Sequence, residues 1–454
     1  MTGNSRRPLR SVAVVGGGPV ALAAAIGLAQ AAPGARVTLV PAPVEAAALA
    51  DRLPLALPST HALLARLGFA PDALLERGVA RPRQASRFAD WSRDGATWLV
   101  GDDVAASAGS IALHQLWLRA DAGVPPFHAL VPACVAAEAG IFDPQVEPAL
   151  HLDPRRLAQA FASGARQRGV PIGAPFAAVG RGEGGIAGLQ LQDGTRLVAD
   201  LYVDATGPAR LLADASAAFA HWDAAVPCNR LMLVAEADDR RVVVDEYRAT
   251  DEGWTARWPG WRATASAATD PSSQGGIAFV LGRLAAPFAG NVLALGEAAV
   301  QPGPLGLAGF TMALGQLALA LELLPGAADE PLLRAEYNRR ANLRADRLRD
   351  FLGAHYRGGG RTRGRFWQDI AGLDRPASLA ALLTQFEQRG HLVAEDEDSV
   401  LREAWLAVLL GQGIRPRRPD PIALSLAPAD AARSVAAIAS HLAQDLARRE
   451  PMPT

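Results

Sequence analysis

The chain has 454 residues, half of them hydrophobic and 20% charged, with a net charge of −1. That length can bury a large core, and the near-neutral balance leaves no electrostatic footprint for nucleic acid or for an anionic membrane surface. All 45 basic residues are arginine, which excludes any chemistry needing a lysine amine of this chain. Cys134 and Cys228 lack the spacing of a zinc site or a disulfide framework, so no metal is expected and a reducing, cytoplasmic setting is. The opening "MTGNSRRPLR" has no apolar run of signal-peptide length before the first strand.

In chain order, "VAVVGGGPVALAAA" (12–25) reads as a buried β-branched strand, a tight turn and a helix. Gly16 and Gly18 permit the turn and the close approach of a pyrophosphate, the helix N-terminus supplies amide donors, and Ala21 is the third small position, packed on the sheet. A second strand, Arg36 to Val40, follows at the right distance. An acid should then meet a ribose hydroxyl; Pro41 stands there instead, with Glu45 the nearest carboxylate.

Residues 58–78 read as short helices with Ser59 or Thr60 as an N-cap, and "RFADWSRDGATWLVG" as a hairpin. A helix after "HLD" has Asp153 as its cap, Pro154 at its first position and Gly169 as its stop. "GIAGLQLQDGTRL" predicts two strands around an Asp-Gly turn. The apolar stretch "MALGQLALALELLP" is too short to cross a bilayer and carries Glu322. From 331 onward the period is helical.

Two later stretches extend the first signal. "YVDATGP" (202–208) is a strand breaking into a turn from Asp204 to Gly207, and "NVLALGEAA" (291–299) is a strand ending in Gly296 and Glu297. A helix beginning at Ala308 and Gly309 would aim its free amides at a flavin ring. These three contacts, in this order, predict an α/β fold: an FAD-binding, Rossmann-like module of the glutathione-reductase or hydroxylase type. Residues 1–330 hold this body, and 331–454 form a helical C-terminal part.

The stretches "LHQLWLRADAG", "VPCNR", "EGWTARWP", "GEAAVQPGPLGLAGF", "YNRRANLRADRLRDFLGAHYR", "RFWQDI" and "GQGIRP" resemble the flavin-dependent tryptophan halogenases in order and spacing, over nearly the whole chain. The resemblance implies FAD reduced by a separate flavin reductase, dioxygen and halide as co-reactants, a substrate-binding β-sheet inserted within residues 1–330, and a helical C-terminal part, 331–454, that caps the substrate site. It also implies an aromatic substrate, either a small molecule or an aromatic side chain of a peptide, and admits a homodimer. In that family hypohalous acid passes down a tunnel to a lysine beside the substrate.

Here Arg83 stands at the lysine position of "RQASRFADW". Gly306 and Leu307 replace the family's assisting glutamate and serine, and the glutamate-bearing strap over the flavin reads "DRLPLALP" from Asp51. In the family's W-x-W-x-I-P signature Trp254 remains, Ala256 replaces the second Trp and Trp258 takes the Ile position. Arg83 is thus the candidate catalytic residue, and Trp254, Trp258 and His114 are candidates on the substrate side. The favoured function is a flavin oxygenase that acts on an indole-like substrate without halide; the alternatives are a catalytically degenerate binding or helper protein and an atypical halogenase.

Overall fold

The computed structural model describes residues 7–102, 111–120, 123–214, 216–237, 243–267, 275–326, 330–392 and 397–448. Residues 121–122 of "LHQLWLRADAG" and 449–454 of the helical tail lie outside these. The chain divides into two compact units, one of residues 1–80, 150–222 and 277–346, the other of 81–149, 223–276 and 347–454. The helical tail is therefore not a unit by itself; from 347 on it groups with the two segments that carry the second sheet.

The first unit is built on β1 (Ser11–Val15), α1 (Pro19–Ala31) and β2 (Arg36–Val40). β1 lies between β2 and strand Leu201–Asp204, parallel to both, and strand Val292–Ala294 continues the parallel set. Val15 pairs with Asp204, and Asp204 with Ala294, so three strands end level with one another. The turns that follow them converge along one edge, where open α/β sheets bind ligands.

Alternation along β1 sorts its side chains to two layers. Val12 and Val14 join the core made with α1, helix Pro154–Gln167 and helix Gly309–Glu322, where Phe161, Leu157, Leu314 and Leu317 are buried. Ala13 and Val15 face Ile186, Leu189 and Leu191 of a three-stranded antiparallel sheet. Its Gly185–Leu191 and Arg196–Leu197 strands flank the Asp-Gly turn, as expected. α1 is buried on nearly every face because it is sandwiched between two helices, which explains its unbroken run of Ala, Leu and Ile.

Local signals act as expected at helix Pro154–Gln167, where the Asp153 carboxylate accepts from the amides of Arg155 and Arg156 at 2.9 Å. Thr60 differs: it sits at an N-cap position, but its hydroxyl donates to the Leu57 carbonyl at 2.8 Å and caps nothing. A window widened to Leu305–Glu322 has the length and mean hydropathy, 1.4, of a membrane span. Only Gly309–Glu322 is α-helical, however, and its Phe310, Ala313, Leu314 and Leu317 are core residues.

In the second unit, strands Arg230–Ala235, Trp261–Ser266, Gly253–Trp258 and Val243–Ala249 form an antiparallel ladder. Val243–Ala249 then runs parallel to Ala80–Ala89, which pairs with Trp98–Gly101 as the expected hairpin. Helices Leu113–Ala120, Arg365–Ala371, Ala377–Arg389, Arg402–Gly411 and Pro428–Ala447 belong to this unit.

Candidate functional site

The three level strand ends of the first unit build a nucleotide cradle from backbone. A Cβ at Gly16 would strike the Ala205 carbonyl and stand 2.7 Å from the Ala21 Cβ, so Gly16 and Ala21 are small because turn, helix and neighbouring strand meet there. Gly18 is the extended residue before α1, and Pro19 begins the helix, where a missing N–H costs nothing. Asp204 is wholly buried; it accepts from the Thr206 amide and hydroxyl and from the Leu212 amide at 2.8 Å. Its carboxylate organises its own turn rather than reaching outward, and burial raises its pKa. Gly207 follows with φ +65°, a left-handed backbone suited to glycine. The Gly296 amide donates to Gln316 Oε1 at 2.6 Å.

Part of the chain packs against this cradle. After β2 the backbone turns back into the convergence point and forms a single turn, α2 (Leu49–Arg52), with Ala48, Leu49, Ala50 and Asp51 all buried. The Val20 amide in the first turn of α1 donates to Asp51 Oδ1 at 2.9 Å. A Cβ at Gly18, the glycine that would let a pyrophosphate approach, collides with the Asp51 carboxyl group. A Cβ at Gly207 would lie 3.1 Å from the Ala48 Cβ, and one at Gly309 would lie 3.2 Å from the Ala50 Cβ. Glu297 Oε2 accepts from the Ala50 amide at 3.1 Å, while Oε1 has no partner among the described residues. Ala308 caps helix Gly309–Glu322 with backbone alone, so that helix begins where expected, against Ala50 instead of open space.

Burial pushes the Asp51 carboxyl up to about 7 against the opposing pull of the Val20 amide, and it holds Glu297 well above the ordinary carboxylate range, with the nearby Asp51 adding to the effect. Two neighbouring carboxyls in a dry place favour their neutral forms. The residues in this arrangement do not fit an FAD: Asp51 occupies the approach to Gly18, and Ala48 to Ala50 occupy the space beside Gly207, Glu297 and Gly309.

Arg83, in the second unit, lies on strand Ala80–Ala89 and is 4% exposed. Its Nη2 donates to both oxygens of Asp102 at 2.8 Å, and Nη1 donates to Asp245 at 3.1 Å. Burial pulls its pKa down, but Asp102 and Asp245 outweigh that and hold it above the usual arginine range. Neither carboxylate stood out in the sequence; a signal was available in the principle that a buried arginine needs partners.

Trp254 and Trp258, expected on the substrate side, are interior. Trp254 Nε1 donates to the Tyr356 hydroxyl at 2.8 Å and Trp258 Nε1 to the Tyr247 hydroxyl at 3.1 Å, within an aromatic core where Phe88 stacks between Trp98 and Tyr247. With exposures of 0% and 2% they have neither a free donor nor a free ring face. His114 is different. It lines a cavity of about 160 Å³ with Ile111, Leu392, Leu406, Arg402 and Asp420, and its Nε2 lies 3.0 Å from the Gly390 carbonyl. Burial lowers its pKa to about 4, so the imidazole is neutral at pH 7.

Gly306 and Leu307 both have left-handed backbone, φ 72° and 49°, and the Leu307 side chain is buried. Among the described residues no group of three or more His, Cys, Asp or Glu is placed to hold a metal ion.

Comparison with known proteins agrees with this frame. Residues 11–428 match the family model of tryptophan halogenases. The chain is 30% identical over 166 residues to the tryptophan 6-halogenase SttH of Streptomyces toxytricini, an alignment spanning 35% of this chain and 31% of that relative's length. Two solved structures superpose over 98% of this chain and 97% of their own. They are BrvH, a flavin-dependent halogenase from Brevundimonas sp. BAL3 (TM-score 0.88, 23% identity), and Xcc4156, a flavin-dependent halogenase from Xanthomonas campestris (TM-score 0.89, 24% identity). At those identities the superpositions establish the fold, the α/β, FAD-binding Rossmann-like body with a helical C-terminal part that flavin-dependent halogenases share. The relatives are enzymes.

Proposed function

Because this chain belongs to the tryptophan halogenase family, we propose that it keeps the family's frame without the halogenation step and serves as a binding or helper protein for an aromatic ring. The ring belongs to a small indole-like molecule or to a peptide side chain. The family's enzymes use FAD reduced by a separate reductase and act on tryptophan or related aromatic compounds.

Arg83 carries this reading. A lysine amine is a compact nucleophile that oxidised halogen can load or be polarised by; a guanidinium stays charged, is a poor nucleophile, and has a fork geometry that matches carboxylates. Here that fork is engaged by Asp102 and Asp245 in a dry setting, so its role is structural. Gly306 and Leu307 supply no side-chain hydrogen-bonding group in place of the family's glutamate and serine. The cavity beside His114, about 160 Å³, has room for one aromatic ring, with Ile111, Leu392 and Leu406 on its apolar side and His114, Arg402 and Asp420 on its polar side.

A second reading, oxidation of an aromatic substrate without halide, rests on the retained glycine turn and Glu297 and requires residues 47–51 to move off them. One experiment separates the readings. The full chain is incubated with FAD, a flavin reductase, NADH, dioxygen and indole or tryptophan, with and without bromide, and products are read by mass spectrometry. The expected result is no product in either arm, with saturable indole binding by calorimetry. An oxygenated product independent of bromide would replace the first reading by the second, and a brominated product would overturn both.

A further inference from the structure

We infer that residues 47–51 are a built-in occupant of the flavin cradle, in which Asp51 takes the hydrogen-bonding place of a cofactor phosphate at the start of α1, so that the native chain excludes FAD until this segment is displaced. The inference goes beyond the loss of halogenation, because it concerns cofactor uptake; it shares with that reading only the family's frame.

Three independent contacts carry it. The first is at the helix end. The first turn of α1 presents amides with no partner inside the helix, which is why nucleotide folds place a phosphate there. In this chain the Val20 amide is already taken by Asp51 Oδ1 at 2.9 Å. The second is steric: a Cβ built on Gly18 would collide with the Asp51 carboxyl, so the side of Gly18 from which a side chain would project is taken. The third lies at the opposite wall, where Ala48 packs on Gly207 and Ala50 packs on Gly309 while donating its amide to Glu297. The Gln301 side chain also donates to the Ala47 carbonyl at 3.2 Å. The glycine turn, Gly207, Glu297 and Gly309 are therefore all in contact with the same short segment.

The sequence of that segment suits the task. "EAAALAD" puts the small, buried Ala48 and Ala50 beside Gly207 and Gly309 and one carboxyl at the helix end. Arg52 turns away and donates to the Ala46 carbonyl at 2.8 Å, which closes the segment on itself. Glu45, the nearest acid to the missing ribose contact, is exposed.

The test uses the full chain and reads binding and stability rather than turnover. Oxidised FAD is titrated into wild type and into Asp51→Gly, following flavin fluorescence, with circular dichroism confirming that both are folded. Wild type is expected to show no saturation up to about 0.5 mM, and Asp51→Gly to bind at least about tenfold more tightly. In parallel, Gly18→Ala is made in both backgrounds. It should destabilise wild type through collision with Asp51 and cost clearly less in Asp51→Gly, a coupling that a double-mutant cycle isolates. Micromolar binding by wild type, no gain in Asp51→Gly, or an equal cost of Gly18→Ala in the two backgrounds would each overturn the inference. None of these outcomes bears on bromide-dependent product, which alone sinks the non-halogenating reading.

Discussion

Asp51 and Arg83 show how one residue's surroundings change its chemical meaning. Asp51 is an ordinary acid in the sequence, yet beside Val20 and Glu297 it becomes a buried, easily protonated carboxyl. The sign of its effect on stability follows from linkage. Its folded pKa is raised to about 7, so its contribution is fully present below about pH 4 and is lost as pH rises through about 7, because the unfolded chain ionises first. Asp51→Asn keeps the acceptor for the Val20 amide and cannot ionise. Relative to wild type, the variant should therefore gain stability as pH rises from about 4 to about 7, by up to roughly 4 kcal/mol. Denaturant unfolding of the pair at several pH values checks this, and the comparison cancels the opposing titration of His114 and His355, whose pKa values burial lowers to about 4. A pH-independent difference would mean that Asp51 is not buried in the cradle.

At the scale of elements, short-range signals predicted those helices and turns whose partners lie nearby in the chain. The Asp153 cap of helix Pro154–Gln167 is an example, since its two acceptor bonds are to residues two and three positions on. Asp153→Ala should cost about 1 kcal/mol of stability by chemical denaturation, with Asp153→Ser or Asp153→Asn recovering most of it. α2 and the segment around it are the contrary case. Four residues do not make a stable helix alone, and the turn exists because Glu297, Gly18 and the start of α1 surround it. Nothing local in "APVEAAALADR" marks it as an occupant rather than a surface loop. Thr60 teaches the same lesson, as a residue suited to a cap whose hydroxyl found a closer carbonyl in Leu57.

Across the whole molecule, the two units have their own interiors, and both cysteines lie in the unit made of 81–149, 223–276 and 347–454. Cys134 and Cys228 are both inaccessible to solvent, and burial pushes the Cys228 thiol up to about 12. A thiolate is the reactive form, so neither should react with iodoacetamide at pH 8 in the native protein. Both should react once this unit unfolds, which makes alkylation followed by mass spectrometry a probe of its opening. Rapid modification of either thiol under native conditions would contradict the packing described for that unit.

The sequence by itself determined what depends on pattern and on short range: the β1, glycine turn and α1 unit, the two later strand ends with Gly207 and Gly296, the hairpin around the Asp-Gly turn, and the helical tail. β-branched runs, glycines at left-handed turns and capped helices act through a few neighbouring residues, so they are legible without knowing where the chain goes next. Departures from the family's pattern at Arg83, Gly306 and Leu307 were equally visible, because identity at a position needs no coordinates. Only the tertiary structure decided what those positions touch. It joined Arg83 to Asp102 and Asp245, 19 and 162 residues away, set Trp254 and Trp258 in an aromatic core, and laid Asp51 over Gly18. The physical reason is the same in each case. Burial and pairing are set by contacts between segments far apart in the chain, and a carboxyl, an indole or a guanidinium reveals its role only once its neighbours, and the water it has lost, are known.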